Sequence, residues 1–264
     1  MRRALLFALL AVLVLAGTRG AAESDKYDVY AIRYATLAGS PERAMAVWLL
    51  KGLDGRIALI DSGFHREQYL RQPGLKEYIR PSDALLPLGI QAGGVTDLLI
   101  TDMHWDHAGG LDLFPNAHVW IQKDQYEYYT GQAWQLASGH AGVDPGDVQE
   151  LVRLNTLGRV TLLGGNVDFM LSGITFAASG QGASATQFIV AQARNSLVVL
   201  AADNLPFYEG LKAHGAATEG AAAHVGIVER MSVAASEPRL VIPGHDSAVF
   251  TRFKKISDRI VQIE

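Results

Sequence analysis

Apolar runs of strand length, separated by turn residues, occur throughout the chain. Tyr27–Tyr34, Met45–Leu50 and Arg56–Ile60 have the length and spacing of strands, and glycines separate the last two. Further runs of this kind are Asp97–Thr101, Ala117–Ile121, Val160–Leu163, Ile174–Ala178, Gln187–Gln192, Leu197–Ala201 and Leu240–Ile242. The pattern predicts two strand-rich halves.

Helices are predicted between and after these strands. Helical spacing or helix-terminal residues mark Pro81–Leu88, Lys123–Thr130, Asp147–Leu154, Ala221–Ala234 and Ser247–Lys254. Proline stands early in the first of these segments, where its missing N–H costs nothing. Strands and helices in this order predict a mixed α/β (α+β) domain.

A cluster of imidazoles and carboxylates follows the strand Asp97–Thr101. Asp102 and His104 point to the same side of an extended strand end, and Asp106 and His107 stand where the chain turns toward two glycines. Zinc takes imidazole nitrogen and carboxylate oxygen, usually as four ligands, and a catalytic site leaves one position to water. The loop is therefore predicted to bind a metal.

Length and composition favour one large domain over residues 23–264. The chain has 264 residues, of which 49% are hydrophobic, and no break in composition divides it. The absence of cysteine excludes disulfides and thiolate ligands. A net charge of −4 without a basic run speaks against nucleic acid as a partner. A small-molecule substrate fits these properties better.

The first residues have the pattern of an export signal. Arg2 and Arg3 precede an apolar run over residues 4–16, and small residues follow at 20–22. This predicts a signal peptide over residues 1–22, a periplasmic or secreted protein, and a mature chain without a membrane span. An uncleaved anchor is the alternative, but the apolar run is short for a span.

The metal-loop sequence resembles the His-x-His-x-Asp-His signature of the metallo-β-lactamase superfamily, with Asp102 in place of the first histidine. Leu111–Ala117 and Val119–Gln122 resemble the N-acyl-homoserine lactonase-like branch of that superfamily. The resemblance runs from about residue 27 to the end, and it implies an αββα sandwich with metals at one edge between the sheets. Asp61-Ser62-Gly63 resembles the Asp-Thr-Gly that holds the metal loop through hydrogen bonds.

Two later motifs match further ligands of the superfamily. Leu200–Asn204 resembles Leu-x-x-Asp-Asn, in which the carboxylate, here Asp203, bridges two metals. Pro243-Gly244-His245-Asp246 resembles the closing Pro-Gly-His-Asp, which makes His245 a ligand. Together with Asp106 and His107, His245 completes the set that the family uses for its second metal. One zinc ion is therefore expected there, with Asp203 or water as a further ligand.

The other metal site is degenerate by the same comparison. Its three family histidines correspond to Asp102, His104 and Gly182, so two of three imidazoles are missing. Asp102 leaves open a second, harder ion such as Mn²⁺, which carboxylate and water suit better than imidazole does. His214 and His224, outside the family positions, are alternative replacements.

The resemblance implies a metal-dependent hydrolase of a lactone or ester-like bond, with Asp106 or Asp203 accepting the proton of water. A tyrosine that helps polarise the lactone carbonyl in the lactonases is replaced by Pro206, and Tyr208 could substitute for it only in a rearranged loop. The rival hypothesis is a binding protein of the cell envelope that keeps the fold and has lost turnover. Hydrolysis of a β-lactam or a phosphoester is a third hypothesis, because the fold does not determine the substrate.

Overall fold

The computed structural model describes residues 25–180, 186–212 and 219–264. The strands in these ranges are, in chain order, β1 (Tyr27–Leu37), β2 (Arg43–Gly52), β3 (Ile57–Ile60), β4 (Gly63–Phe64), β5 (Leu75–Lys76), β6 (Asp97–Leu99), β7 (His118–Gln122), β8 (Val160–Leu163), β9 (Val167–Leu171), β10 (Ile174–Ala178), β11 (Gln187–Gln192), β12 (Leu197–Ala202), β13 (Val241–Pro243), β14 (Lys254–Lys255) and β15 (Ile260–Gln262). The α-helices are α1 (Glu67–Leu70), α2 (Pro81–Ala84), α3 (Trp105–Ala108), α4 (Lys123–Thr130), α5 (Pro145–Thr156), α6 (Glu219–Ala234) and α7 (Val249–Arg252).

Within the described residues, the strands form two sheets. The larger has the order β14-β15-β1-β2-β3-β6-β7-β8, with β5 paired to β1. Its first strands are antiparallel, and β3, β6, β7 and β8 are parallel. The smaller sheet has the order β13-β12-β11-β10-β9 and is antiparallel except for the parallel pair β12 and β13.

The buried apolar side chains form three clusters that separate four layers. Alternate residues of β2 go to different clusters: Trp48 and Leu50 pack against the smaller sheet, whereas Leu49 packs with residues of α2, α3, α4 and α5. In β11, Ile189 joins the core between the sheets, and Phe188 packs against α6. Helices therefore cover the outer faces of both sheets, and the predicted αββα sandwich is confirmed.

Two predicted helices are shorter in the structure. The segment predicted at 81–88 is α2 followed by a 3-10 turn at Leu86–Leu88, which Gly89 ends with a φ of 74°. The helix predicted over Ser247–Lys254 is α7, Val249–Arg252, and the prediction was wrong at its C-terminal end, because Lys254–Lys255 pairs with β15 at the edge of the larger sheet. Pairing with the next strand of the chain outweighs helical spacing there.

Several sequence predictions concern residues outside the described ranges. These are the signal peptide at residues 1–22, the vacated ligand position Gly182 and the alternative ligand His214. In the part of the chain that the structure describes, no helix combines the length and apolar character needed to cross a membrane.

Candidate metal centre

The site residues follow strand ends at one edge of the sandwich. Asp61 comes directly after β3, and the loop with Asp102 and His104 follows β6, its parallel neighbour. Asp203 follows β12, and His245 lies shortly after β13, which runs parallel to β12. Loops after the carboxyl ends of adjacent parallel strands meet at one edge, which brings these side chains together.

Asp61 fixes the metal loop, as its sequence motif predicts. One carboxylate oxygen accepts hydrogen bonds from the backbone N–H and the hydroxyl of Thr101, both at 2.8 Å, and the other lies 2.7 Å from Nδ1 of His107. Asp61 is fully buried, and its φ of 61° is unusual for a residue other than glycine. Such strain persists where the surrounding hydrogen bonds determine the conformation.

Ser62 holds the same loop at its other end. Its hydroxyl donates to the carbonyl of His107 at 2.9 Å and accepts from the N–H of Gly110 at 3.0 Å. A Cβ at position 110 would lie 2.4 Å from the carbonyl oxygen of Ser62, so the second glycine of the motif permits this close approach.

The hydrogen bonds of His107 and His245 determine which ring nitrogen is free. Nδ1 of His107 donates to Asp61, and Nδ1 of His245 donates to the carbonyl of Ala44 at 3.0 Å. Because Nδ1 carries the proton in each ring, Nε2 of the neutral imidazole has a lone pair available to a metal. Both rings are 3–4% exposed.

The two free nitrogens converge with two carboxylates. Oδ1 of Asp203 lies 2.8 Å from Nε2 of His245 and 3.5 Å from Nε2 of His107. The carboxylate oxygens of Asp106 lie 3.9 Å from Nε2 of His107 and 3.8 Å from Nε2 of His245. One ligand atom each from Asp106, His107 and His245 lies within 4.8 Å of the other two. We call these four residues the ligand cluster.

The ligand cluster contains buried polar atoms without hydrogen-bond partners: Nε2 of His107, Nε2 of His245 and Oδ1 of Asp203. Buried polar atoms are normally paired, so three such atoms facing one another require an explanation. Two imidazole nitrogens and carboxylate oxygens are the donor set that zinc prefers. The residues present therefore fit a bound divalent ion.

Charges within the cluster shift two pKa values in opposite directions. Burial lowers the pKa of His107, but Asp61, Asp106 and Asp203 raise it well above 6.5. Burial raises the pKa of Asp203, but His107 and His245 hold it well below 3.8. The metal-free cluster thus favours a proton on His107, and binding of an ion releases that proton.

Asp102 and His104 form a separate pair. Oδ1 of Asp102 lies 2.8 Å from Nδ1 of His104 and accepts the backbone N–H of His104 at 3.0 Å. This hydrogen bond raises the pKa of His104, against the effect of burial. The ring is 38% exposed and lies against Gly142, where a Cβ would come within 2.6 Å of Cδ2. The backbone N–H of His107 donates to the carbonyl of His104 at 3.0 Å, but among the described residues no side-chain hydrogen bond or ion pair joins this pair to the ligand cluster.

Backbone contacts bring Asp203 and His245 together. Ala202 has a φ of 47°, and a Cβ at Gly244 would lie 2.5 Å from its carbonyl oxygen. The carbonyl of Pro206 accepts the backbone N–H of His245 at 2.9 Å. Pro206 thus supports a ligand through its backbone, although it has no side-chain hydroxyl to offer a substrate.

Tyr208 is buried near the loop that carries His245. Its ring packs in the core between the sheets, with the guanidinium carbon of Arg252 3.8 Å from the ring centroid, and its backbone N–H donates to Asp246 at 2.9 Å. Burial, partly opposed by Arg252, raises the pKa of Tyr208 to about 12. Its hydroxyl is buried without a hydrogen-bond partner, and among the described residues no hydrogen bond joins it to Asp106 or Asp203.

Arg43 lies beside the ligand cluster, and the sequence analysis did not identify it as a site residue. Its Nη2 lies 3.9 Å from Oδ1 of Asp203. Arg43 begins β2, and its backbone forms an isolated antiparallel bridge with Asp246. No local motif marks the position. The pairing of β2 with the loop after β13 is a tertiary feature that one sequence does not reveal.

The sequence and fold resemble known hydrolases. A model of the metallo-beta-lactamase superfamily matches residues 42–190. No curated protein matches the chain in sequence. A solved quorum-quenching N-acyl homoserine lactone lactonase is 16% identical, with 89% of this chain and 98% of that chain covered at a TM-score of 0.68.

Two further solved structures show the same fold. An N-acyl homoserine lactone hydrolase with the product N-hexanoyl-L-homoserine at its catalytic metal centre is 16% identical, with 88% of this chain and 97% of that chain covered at a TM-score of 0.66. A probable metal-dependent hydrolase from Staphylococcus aureus is 15% identical, with 84% of this chain and 90% of that chain covered at a TM-score of 0.65.

Proposed function

The chain belongs to the metallo-beta-lactamase superfamily, and from this premise we propose that it is a metal-dependent hydrolase of a lactone or other ester-like bond, working with one zinc-like ion. The observation that carries the proposal is the set of unpartnered, converging atoms on His107, His245 and Asp203. Asp106 completes the donor set. With Nδ1 protonated in each ring, both Nε2 atoms and the carboxylate oxygen are acceptors, so a proton or a cation must lie between them, even at the 2.8 Å that separates Nε2 of His245 from Oδ1 of Asp203.

The residues of the cluster have distinct roles in this proposal. His107, His245 and Asp106 would hold the ion, and Asp203 would join them through Oδ1. A bound ion would supply Lewis-acid chemistry, polarising a carbonyl oxygen and lowering the pKa of water. Asp203 is the first candidate to accept the proton of the attacking water, because its side chain is 32% exposed and reaches the open side of the cluster. Asp106, which is 8% exposed, is the alternative.

The substrate class rests on the relatives. Lactone hydrolysis is the activity that two of the structural neighbours carry in their descriptions, and a small-molecule lactone or ester is accordingly our first candidate. Activation of water by the ion requires neither a serine nor a cysteine nucleophile. Because Pro206 stands at the family tyrosine position, the ion is our first candidate to polarise the carbonyl, and the unpartnered hydroxyl of Tyr208 is the second.

A binding protein without turnover is the second candidate. The replacement of a family histidine by Asp102 favours it, because one oxygen of Asp102 is engaged by His104 and the other metal site of the family thereby has fewer donors. In that case the cluster would still bind an ion and small molecules, but no bond would be cleaved.

Metal content and a substrate panel decide between the two candidates. Protein purified without chelator is analysed for metal per chain and then assayed on lactones, aryl esters, phosphoesters and a β-lactam. Glu150→Gln, in α5, where the carboxylate pairs with Arg153, is a matched control for loss of one carboxylate. We expect about one zinc per chain and turnover of a lactone or aryl ester, both lost in Asp203→Asn but not in the control. Bound zinc without turnover of any panel member would support the binding protein, and absence of bound zinc after reconstitution would contradict both candidates.

We also propose that the protein is exported. The basic residues and apolar run of the first 22 positions support this proposal. Expression with the natural N-terminus, cell fractionation and N-terminal sequencing test it. Full-length protein that keeps Met1 and stays in the cytoplasm would contradict it.

A further inference from the structure

Arg43 lies on the open side of the ligand cluster. The side chains of Arg43 and Asp203 are 38% and 32% exposed, whereas the imidazoles of His107 and His245 are 3% and 4% exposed. A molecule that approaches the cluster from solvent therefore meets Arg43 and Asp203 first.

The guanidinium of Arg43 is available to a ligand. Its distance of 3.9 Å from Asp203 is too long for a hydrogen bond, and no other hydrogen bond of this side chain occurs among the described residues. Nε of Arg43 is buried and unpartnered. A guanidinium presents five N–H donors in a planar fork that matches the oxygens of a carboxylate or phosphoryl group.

The backbone fixes Arg43 relative to the cluster. Arg43 bridges Asp246 through its backbone, and the next residue, Ala44, accepts the Nδ1 hydrogen bond of His245. The strand end that orients one ligand therefore also positions the guanidinium. This shared support favours a role at the site over a chance surface location.

The position of the charges also favours an anion. A divalent ion and Arg43 would carry three positive charges, which the carboxylates of Asp61, Asp106 and Asp203 balance. The carboxylate of Asp61 is fully buried behind His107, whereas the side chain of Arg43 is 38% exposed. The group that faces solvent beside the cluster is therefore positively charged, and such a group attracts anionic ligands.

We propose that Arg43 binds an anionic group of the substrate, a carboxylate or phosphoryl oxygen close to the scissile bond, and so makes the protein selective for anionic esters or lactones over neutral ones. The proposal rests on the hydrolase function proposed above and deepens it. Arg43 provides a fixed positive charge on the open side of a cluster for which we propose a single ion. Arg43 is a specificity-determining residue in this scheme, whereas the cluster carries the chemistry.

Anion binding tests the proposal without any turnover. Inorganic phosphate and acetate are titrated by calorimetry into the zinc-loaded parent, Arg43→Gln and Arg43→Lys. Arg239→Gln, which removes an arginine from an exposed ion pair with Glu237, is the matched control. We expect Kd to rise about 10- to 100-fold in Arg43→Gln, as for loss of a charge-assisted hydrogen bond, and less in Arg43→Lys. An unchanged Kd in Arg43→Gln, or no anion binding by the zinc-loaded parent, would overturn the proposal.

Matched esters test selectivity. 4-Nitrophenyl butyrate is neutral, and 4-nitrophenyl hemisuccinate carries a carboxylate on an acyl chain of similar length. Arg43→Gln should lose about 10- to 100-fold in kcat/KM for the anionic ester, mainly through KM, and little for the neutral one. Equal losses on both esters would remove Arg43 as a selectivity residue and leave the hydrolase function standing. If the parent cleaves neither ester, the phosphate titration still decides the role of Arg43.

Thermal unfolding and zinc content are measured for every variant. Removal of a positive charge beside a cation site should leave zinc binding unchanged or slightly tighter. If Arg43→Gln does not fold, Arg43→Lys decides, because it keeps the charge and loses only the planar fork. A phosphate Kd and an ester preference equal to those of the parent in a folded Arg43→Lys would then overturn the proposal.

Discussion

The metal loop contains two histidines, His104 in its first half and His107 in its second half, and a carboxylate lies next to Nδ1 of each ring. The two Asp–His pairs differ in where the carboxylate comes from. In the first half, Asp102 bonds the Nδ1 side of His104, and the pair satisfies itself. In the second half, Asp61 bonds Nδ1 of His107 from the strand behind the loop, and Nε2 faces Asp203 and His245 without a partner. An Asp–His hydrogen bond thus supports a ligand in one case and not in the other.

The position of the carboxylate explains the difference. Asp61 is fully buried and comes from a different strand, so it also fixes the ring of His107 toward the cluster. Asp102 is two residues from His104 and holds a ring that is 38% exposed. The Nε2 atom of His107 is thus held in the buried cluster, whereas the ring of His104 is held at the surface of the loop.

The largest expected effect is on zinc affinity, and it should separate the ligand cluster from the Asp102–His104 pair. His245→Ala should weaken zinc binding by more than about 100-fold, because it removes a ligand, and even changes behind the ligands cost 10- to 100-fold. His104→Ala should leave zinc binding within about threefold, because its polar partner is Asp102. The measurement is the zinc Kd by competition with a chelator, supported by elemental analysis after gel filtration.

His118→Ala is a control for loss of a histidine elsewhere, since His118 contacts Thr161 on the larger sheet. If His104→Ala lost as much zinc as His245→Ala, the separation of the Asp102–His104 pair from the ligand cluster would be wrong.

A second prediction concerns the carboxylates behind the two histidines. Asp61→Ala should weaken zinc binding about 10- to 100-fold, because His107 loses the acceptor that orients it. It should also lower the free energy of unfolding by about 3 kcal/mol, because buried donors of Thr101 and His107 lose their acceptor. Zinc titration and urea unfolding of the metal-free protein measure the two effects.

Asp102→Ala is the matched variant in the other half. Its carboxylate is also buried, but it should change the zinc Kd by less than about threefold. Equal zinc affinities in Asp61→Ala and the parent would refute the supporting role of Asp61.

Local pattern was sufficient to predict a mixed α/β domain, whereas the αββα arrangement and the role of Asp61 were predicted from the resemblance to superfamily motifs. Alternating apolar residues in β2 and β11 divide between the layers as the strand period requires. The Asp-Ser-Gly motif ends β3 and holds the loop. Sequence motifs also identified Asp203 and His245 as candidate ligands, and in the structure both lie next to His107.

Features that depend on which side chains meet could not be predicted. The pairing of Asp102 with His104, rather than with a metal, depends on side-chain orientation at the strand end. The approach of Arg43 to Asp203 depends on a bridge between β2 and a distant loop. The C-terminal end of the last predicted helix, Lys254, belongs to an edge strand because β15 supplies a partner.

A third prediction tests whether the first half can be converted into a metal site. Asp102→His removes the carboxylate that engages His104, and Gly182→His adds an imidazole at the position that the family motif assigns. The double variant should bind more metal than the parent, up to one additional ion per chain, whereas Asp102→His alone should gain less. Elemental analysis after dialysis against zinc measures the gain.

Folding of the double variant must be checked first by circular dichroism and thermal unfolding. A histidine at a glycine position that needs a positive φ would cost about 1 kcal/mol or more. A folded double variant with no gain in bound metal would mean that Asp102 and Gly182 are not the vacated ligand positions.

The last prediction concerns Asp147, a buried carboxylate that pairs with Arg66 and should not affect the zinc Kd. Asp147 is 2% exposed, and one of its oxygens pairs with Nε of Arg66 at 2.6 Å. Burial raises its pKa to about 6, although Arg66 lowers it. The native state therefore holds a proton that the unfolded state releases above about pH 4.

Relative to Asp147→Asn, the unfolding free energy of the metal-free parent should fall by up to about 3 kcal/mol as pH rises from about 4 to about 6. Urea unfolding across this range measures the difference, and the zinc Kd at pH 7 should be the same in both proteins. A difference that is constant across the range would show that Asp147 does not titrate there, and a changed zinc Kd would show that the surroundings of Arg66 are coupled to the ligand cluster.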